Sequence, residues 1–154
     1  IAPKLLKAGY EVYHVCGKLA YDELKQQLPH DTAYTLVPFV YEGMSALYGA
    51  ADVVVTRASA TTLQELSAAA RPAIIVPNGS LGDQLENAEV YASEGAAVVL
   101  HDETLLADPE VLLDHIRELV QHPEKAVQLA TQIAKYAKPD AARDVAQMIT
   151  EVIG

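Results

Sequence analysis

With 154 residues, the chain has the length of a single domain. Its net charge of -10 argues against a broad binding surface for the phosphate backbone of nucleic acid and against contact of this segment with anionic lipid. Hydrophobic residues make up 51% of the sequence, as in a packed globule, and no apolar run approaches the roughly 18 residues of a membrane span.

Short β-rich runs alternate with helical segments along the chain, which is typical of βαβ units and a parallel sheet. The predicted strands are Glu11–Cys16, Ala33–Val37, Asp52–Thr56, Ala73–Pro77 and Ala97–Leu100. The predicted helices between them are Tyr21–Leu28, Glu42–Gly49, Ala60–Ala70 and Leu85–Ser93. From residue 108 onward, Pro109, Pro123 and Pro139 stand where helices begin. We therefore predict an α/β fold in one domain, a Rossmann-like parallel sheet with helices on both faces and a helical C-terminal tail.

The loop after the third predicted strand is a candidate phosphate site, because ligands of such folds bind beyond the carboxyl ends of the strands. The N-terminus of the helix from Ala60 offers free backbone N–H groups and the positive end of its dipole. Ser59, Thr61 and Thr62 add hydroxyl donors. Arg57 either adds positive charge or holds the loop in place.

Glu65 lies one helical turn beyond Thr61, and helical side chains lean towards the N-terminus, so its carboxylate points back towards a ligand bound there. A ribose with two adjacent hydroxyls is a suitable partner for that carboxylate. The competing interpretation is a capping box, since Thr62 and Glu65 fit the pattern Thr-x-x-Glu. That interpretation leaves the hydroxyl groups upstream of Thr62 unexplained.

A second polar loop follows the fourth predicted strand, with Asp83 and Gln84 where it enters the next helix and Asn87 one turn into that helix. These side chains offer the mixed donors and acceptors that sugar hydroxyls require. The alternative is that Asp83 only caps the following helix. After the second strand, Phe39 and Val40 are candidates to sandwich a flat base, the alternative being that Phe39 belongs to the core.

Cysteine and histidine residues provide no metal-binding pattern. Cys16 is the single cysteine, which excludes an internal disulfide, and no signal-peptide pattern opens the sequence, so we expect a cytoplasmic protein. The histidines have no ligand spacing to one another or to Cys16, and we expect no metal ion; they are His14, His30, His101, His115 and His122. No Ser-His-Asp order, P-loop lysine or GxGxxG is present.

The run ADVVVTRASATTLQELSAAARPAIIVPNGSLGDQLENAEVYASEGAAVVL, residues 51–100, resembles the donor-binding half of GT-B glycosyltransferases. The similarity is strongest to the branch that transfers N-acetylglucosamine from UDP-N-acetylglucosamine to lipid I in peptidoglycan synthesis. It is carried by the strand, the arginine, the Thr-x-x-Glu pattern and the GDQ-x-x-NA run. Residues 1–50 match more loosely, through CGK and PFV.

This resemblance implies roles for individual residues in binding UDP-N-acetylglucosamine. Glu65 would bind the ribose, and the backbone of Val40, beside Phe39, would meet the uracil. Asp83 and Gln84 would contact the N-acetylglucosamine hydroxyls, with Asn87 supporting their loop. The start of the helix would hold the diphosphate through Ala60, Thr61 and Thr62.

Two positions depart from the family pattern. The chain has Ala58-Ser59-Ala60 where the family usually has Ser-Gly-Ala, so a glycine that eases close backbone approach is replaced. Leu81 stands where related sequences often have arginine. We therefore expect the ribose contact to transfer from the family more directly than the sugar contacts.

The family comparison also implies that several parts of the whole enzyme lie outside this sequence: the first strand of the donor domain, its glycine-rich loop, and the acceptor domain with the catalytic base and the membrane-facing surface. No catalytic residue is assigned within the chain, and the isolated segment is expected to be inactive. The resemblance implies a peripheral enzyme on the inner face of the cell membrane. Two alternatives remain, another GT-B UDP-sugar transferase of glycolipid synthesis and a non-catalytic nucleotide-sugar binding module.

Overall fold

The fold is a succession of parallel strands and helices, as the sequence pattern predicts. A computed structural model describes residues 1–28 and 31–153. The strands are β1 (Val12–Val15), β2 (Tyr34–Val37), β3 (Val54–Thr56), β4 (Ala73–Ile75) and β5 (Val98–Val99). The helices are α1 (Ala2–Lys7), α2 (Tyr21–Gln27), α3 (Met44–Ala50), α4 (Ala60–Ala69), α5 (Gly82–Ser93), α6 (Asp102–Ala107), α7 (Glu110–Gln121), α8 (Pro123–Ala134) and α9 (Ala141–Ile153).

The strands form two parallel sheets within these residues. β1 pairs with β2, with Val12 opposite Tyr34. β4 lies between β3 and β5, with Ile75 opposite Thr56 on one side and Val99 on the other. The predicted parallel arrangement is thus confirmed, and the division into a two-stranded and a three-stranded sheet is a feature that the sequence pattern did not predict.

The hydrophobic core surrounds β4, whose alternate side chains enter opposite faces of the sheet. Ile75 belongs to a cluster with residues of α4, α5 and α8, among them Leu63 and Tyr91. Ile74 belongs to a second cluster that α7 covers through Leu119. Helices therefore cover both faces of the three-stranded sheet, as predicted.

The two sheets are linked by contacts between their helices. Tyr48 of α3 donates a hydrogen bond to Glu65 of α4, at 3.4 Å. Lys4 of α1 forms an ion pair of 2.6 Å with Glu110 of α7. In addition, the Arg71 guanidinium, which precedes β4, donates to the carbonyl of Ala51 at 3.4 Å.

The C-terminal region is helical, as the proline positions predict. Other parts of the chain differ from the prediction: α3 begins at Met44, two residues later than predicted, α5 begins at Gly82, three residues earlier, and α6 occupies a segment for which no helix was predicted. No residue of α9 is buried. Among the described residues, no helix has both the length and the apolar character that crossing a bilayer requires.

Candidate functional site

The carboxyl end of β3 leads through residues 57–59 directly into α4. Ser59 is extended, with φ -71° and ψ 138°, and is the N-cap of α4; its hydroxyl accepts from the Thr62 N–H at 3.4 Å. The Ser59 and Thr62 hydroxyls are themselves 2.8 Å apart. The capping-box interpretation of Thr62 and Glu65 is therefore wrong, because α4 begins at Ala60, two residues before Thr62, and Ser59 provides the cap.

The peptide groups of Ala58 are held on both sides by amide side chains of α5. Ala58 is fully buried, its N–H donates to Gln84 Oε1 at 3.2 Å, and its carbonyl accepts from Asn87 Nδ2 at 3.1 Å. Gln84 Oε1 also accepts from the Asn78 N–H at 3.1 Å. One buried glutamine thus joins the loop after β3 to the loop after β4, and the loop before α4 has a fixed backbone.

Arg57 connects the ends of three neighbouring segments. Its Nη1 donates to the carbonyl of Val76, directly after β4, at 3.1 Å, and to the Asp102 carboxylate at the start of α6 at 2.7 Å. Pro77 provides a further carbonyl at 3.4 Å. Of the two roles considered for Arg57, this geometry favours the one that holds the loop in place.

The N-terminal turn of α4 has an open outer surface. Ala60 and Thr61 are exposed there, and so is Glu65 one turn further along. The Glu65 carboxylate accepts the hydrogen bond from the Tyr48 phenol, whose pKa is raised mainly by burial and further by the charge of Glu65. Glu65 is therefore a surface carboxylate beside the helix start, with its position constrained by α3.

Polar residues of α5 occupy two environments. Asp83 lies exposed in the first turn, and the N-cap position belongs to Leu81, which makes no side-chain cap. The alternative that Asp83 caps the helix is therefore wrong. Gln84, the next residue, is only 9% exposed because it turns inward to the two loops.

Aromatic and basic side chains meet where β1 and β2 end. Phe39 and Tyr41 form an edge-to-face pair with 4.9 Å between ring centroids, and the Lys18 ammonium lies 5.1 Å from the Tyr41 centroid. Phe39 is 52% exposed, so the alternative that it belongs to the core is wrong, whereas Val40 is half-buried. Lys18 and Tyr41 were not predicted; the sequence signal was a lysine after β1 and a second aromatic residue beside Phe39.

The histidines of the described residues lie apart from these loops or at their margin. The pKa of His14 in β1 is lowered by burial, and its Nδ1 lies 2.7 Å from the Tyr34 hydroxyl. His101 follows β5 and is exposed. His30, which the sequence analysis also considered, lies outside the described residues. Over residues 1–28 and 31–153, no three His, Cys, Asp or Glu side chains are grouped as metal ligands would be.

A family model, "Glycosyltransferase family 28 C-terminal domain", matches residues 1–145. Among curated relatives, the UDP-N-acetylglucosamine--N-acetylmuramyl-(pentapeptide) pyrophosphoryl-undecaprenol N-acetylglucosamine transferase of Mycobacterium avium is 35% identical over 98% of this chain and 36% of its own length. The enzyme of the same name from Gloeobacter violaceus is 32% identical over 99% of this chain and 42% of its own. The chain thus spans less than half the length of these relatives.

Solved structures of glycosyltransferases also match this chain. MurG of Acinetobacter baumannii matches with a TM-score of 0.74 and 26% identity, over 90% of this chain and 40% of that chain. The glycosyltransferase VinC, solved in complex with dTDP, matches with a TM-score of 0.63 and 28% identity, over 75% of this chain and 27% of that chain. The resemblance inferred from residues 51–100 is confirmed, together with the fold that it implied.

Proposed function

The chain belongs to the glycosyltransferase family 28 C-terminal domain family, and on that premise we propose that it is the donor-binding part of an inverting hexosyltransferase. The proposed donor is UDP-N-acetylglucosamine, and the proposed acceptor is lipid I, which the reaction converts to lipid II. The names of the relatives support this donor and acceptor, since they describe N-acetylglucosamine transfer to an N-acetylmuramyl-pentapeptide pyrophosphoryl lipid.

The single observation that carries the proposal is the fixed backbone before α4. A helix N-terminus stabilises an anion most when its N–H groups are already oriented, because no reorganisation is then needed on binding. Here Ser59 caps the helix and the buried Ala58 is hydrogen-bonded on both sides. We assign the diphosphate to the exposed start of α4, at Ala60, Thr61 and Thr62, next to Ser59 and with Arg57 holding the loop.

The nucleoside and the sugar are assigned to the surfaces on either side of that helix start. Glu65 accepts hydrogen bonds from the ribose hydroxyls, because it is an exposed carboxylate one turn from Thr61. The base lies at Val40 beside Phe39, at the end of β2. Asp83, exposed at the start of α5, is assigned to the hydroxyls of N-acetylglucosamine, on the same helix as Gln84 and Asn87.

The reaction is a direct displacement with inversion. An acceptor hydroxyl attacks the anomeric carbon, the bond from that carbon to the diphosphate oxygen breaks, and UDP leaves with the electron pair. The part of the enzyme in this chain stabilises the negative charge on the departing diphosphate through helix N–H groups and hydroxyls. The proton of the acceptor passes to a base outside this chain, and the donor is held without a cofactor or a metal ion.

The sheet arrangement supports a larger donor domain. In the common doubly wound order 3-2-1-4-5-6, the strands that correspond to β2–β1 and β3–β4–β5 are separated by one strand. We propose that this strand, followed by a glycine-rich loop, comes from a part of the polypeptide outside residues 1–154. The acceptor domain, which makes the membrane contact, comes from there too, as the greater length of the relatives suggests.

This assignment places the whole protein at the inner face of the cell membrane as a peripheral cytoplasmic enzyme. It acts in peptidoglycan synthesis and thereby in cell shape and division, and nucleic acid is not among its partners. The acidic charge of -10 on this segment supports membrane contact through another domain.

A second candidate function is a GT-B transferase with another donor, as in glycolipid synthesis. The similarity to VinC, whose structure holds dTDP, favours keeping this candidate, because the phosphate-binding geometry alone does not select the base or the sugar. A non-catalytic nucleotide-sugar binding module is the third candidate, and it requires a full-length protein that lacks an acceptor domain. A reading frame that encodes this domain would exclude it.

The experiment is calorimetry on the full-length protein with UDP, 2′-deoxy-UDP and dTDP. We expect Glu65→Gln to weaken UDP about tenfold and to weaken 2′-deoxy-UDP clearly less, because 2′-deoxy-UDP retains only one of the two ribose hydroxyls that donate to the carboxylate. Gln64→Ala, an exposed neighbour on the same helix, is the control. An equal loss for both nucleotides would overturn the ribose assignment, and a wild-type preference for dTDP would favour the second candidate.

A further inference from the structure

We propose that Gln84 acts as a positioning residue for the diphosphate site, and that Asn87 shares this role. The inference rests on the proposed donor-binding function and differs from the family-based expectation, in which Gln84 contacts the donor sugar. Its basis is the pair of amide side chains on α5 that hold the peptide groups on either side of Ala58. Gln84 and Asn87 thereby connect the sugar side of the site to its phosphate side.

The environment of Gln84 is that of an internal connector. The side chain is 9% exposed, and Oε1 accepts two backbone hydrogen bonds, from Ala58 at 3.2 Å and from Asn78 at 3.1 Å. A carbonyl oxygen has two lone pairs, so both acceptor positions of Oε1 are in use. Asp83, one residue earlier, faces solvent and has no comparable contacts in the described part of the chain.

Ala58 is the position through which this arrangement acts on the ligand site. It is fully buried between β3 and α4 and immediately precedes Ser59, the cap of α4. With its N–H held by Gln84 and its carbonyl by Asn87, the peptide groups around Ala58 have a fixed orientation. The orientation of these peptides determines where the first free N–H groups of α4 point, and those groups are the proposed diphosphate donors.

Loss of Gln84 would leave two backbone N–H groups without their partner in a largely buried place. An unpaired buried N–H group is costly in free energy, so the structure is expected to rearrange until the group finds a new hydrogen-bond partner. The rearrangement that we expect is a shift of the loop before α4. The affinity for any ligand that uses the start of α4 then falls, whether or not the ligand carries a sugar. A residue that contacts only the sugar affects UDP-N-acetylglucosamine and leaves UDP unchanged.

The test compares UDP with UDP-N-acetylglucosamine, by calorimetry on the full-length protein. We expect Gln84→Met, which keeps the side-chain length and removes both polar atoms, to raise the Kd of both ligands by the same factor of about ten. Asn87→Leu is expected to act in the same direction. In the double variant, the Kd is expected to rise by less than the product of the two single factors, because both residues act through Ala58. Glu86→Gln, exposed on the same helix, is the control.

Four results are distinguishable. An unchanged Kd for UDP with a weakened UDP-N-acetylglucosamine would overturn the proposal and restore the sugar contact. A lower number of sites per molecule with an unchanged Kd would show that Gln84 serves folding alone, which also overturns it. Failure of the wild-type protein to bind UDP would refute the proposed function, and this inference with it. A loss shared by both ligands at full site number supports the positioning role.

Discussion

The two sheets differ sharply in burial, and the proposed site extends over both of them. All three residues of β4 are fully buried, whereas β1 and β2 consist of half-buried and exposed positions. The loop between β3 and α4 is held by buried hydrogen bonds, while the Lys18, Phe39 and Tyr41 side chains at the ends of β1 and β2 are exposed. In the proposed assignment, the diphosphate side of the site therefore rests on the well-packed sheet and the base side on the open one.

The largest expected effect concerns the core of the three-stranded sheet. Ile74→Ala should lower the free energy of unfolding by about 2–5 kcal/mol, because it removes a fully buried side chain and leaves a cavity. Leu36→Ala in β2, where the side chain is half-buried, should cost less than half of that. Denaturant unfolding of both variants provides the measurement. An equal loss of unfolding free energy in both variants would contradict the difference in burial between the two sheets.

Removing the N-terminal cap of a helix should lower the free energy of unfolding by a smaller amount. Ser59 caps α4, which follows β3, whereas the helices that follow the other strands, α2, α3, α5 and α6, have no side-chain cap. Ser59→Ala should therefore lower the free energy of unfolding by about 1 kcal/mol. Ser45→Ala, an exposed serine in the first turn of α3, is the matched control and should change it little. The midpoint of denaturant unfolding at constant slope measures both.

An unchanged stability of the Ser59→Ala variant would mean that the helix start is held by the loop alone. The hydrogen bonds of Ala58 to α5 would then be sufficient to position the first turn of α4. Such a result would mean that tertiary contacts, and not the local cap, hold the start of α4 in the three-stranded sheet.

Hydrophobic periodicity predicted all five strands and their parallel pairing, because the βαβ alternation carries this information locally. It did not predict the division into two sheets, which depends on what lies between β1 and β3. It also missed α6: no helix was predicted over the HDET segment after β5, although Asp102 and Glu103 are acidic residues suited to a first helical turn.

For the candidate site, the sequence singled out the residues around the start of α4 but did not predict several of the contacts that they make. Two capping patterns overlap in this segment, one starting at Ser59 and one at Thr62, and only the extended backbone of Ser59 decides between them. Similarly, the spacing of Gln84 and Asn87 places both on one side of α5, but their bonds to Ala58 span 26 and 29 residues. Such long-range contacts leave no local pattern in the sequence.

The smallest effect concerns His14, in the open two-stranded sheet. Burial lowers the pKa of His14, so the folded state disfavours its charged form. The unfolded chain binds this proton at a higher pH, near 6.5, and stability should therefore fall as the pH drops from about 7.5 through 6.5 towards the lower pKa of the folded state. His14→Gln should make the unfolding free energy less dependent on pH within this window.

The hydrogen bond of 2.7 Å between His14 and Tyr34 is an alternative cause of a shifted His14 pKa, and a variant that removes this bond is the control. Tyr34→Phe removes the hydroxyl and retains the ring that covers His14 edge-on, with 6.2 Å between centroids. If burial lowers the pKa, the pH dependence should persist in Tyr34→Phe and weaken only in His14→Gln, as denaturant unfolding between pH 5.5 and 7.5 would show. Because the imidazole is only partly buried, the change should be well below that of Ile74→Ala; a comparable change would mean that β1 is as tightly packed as β4.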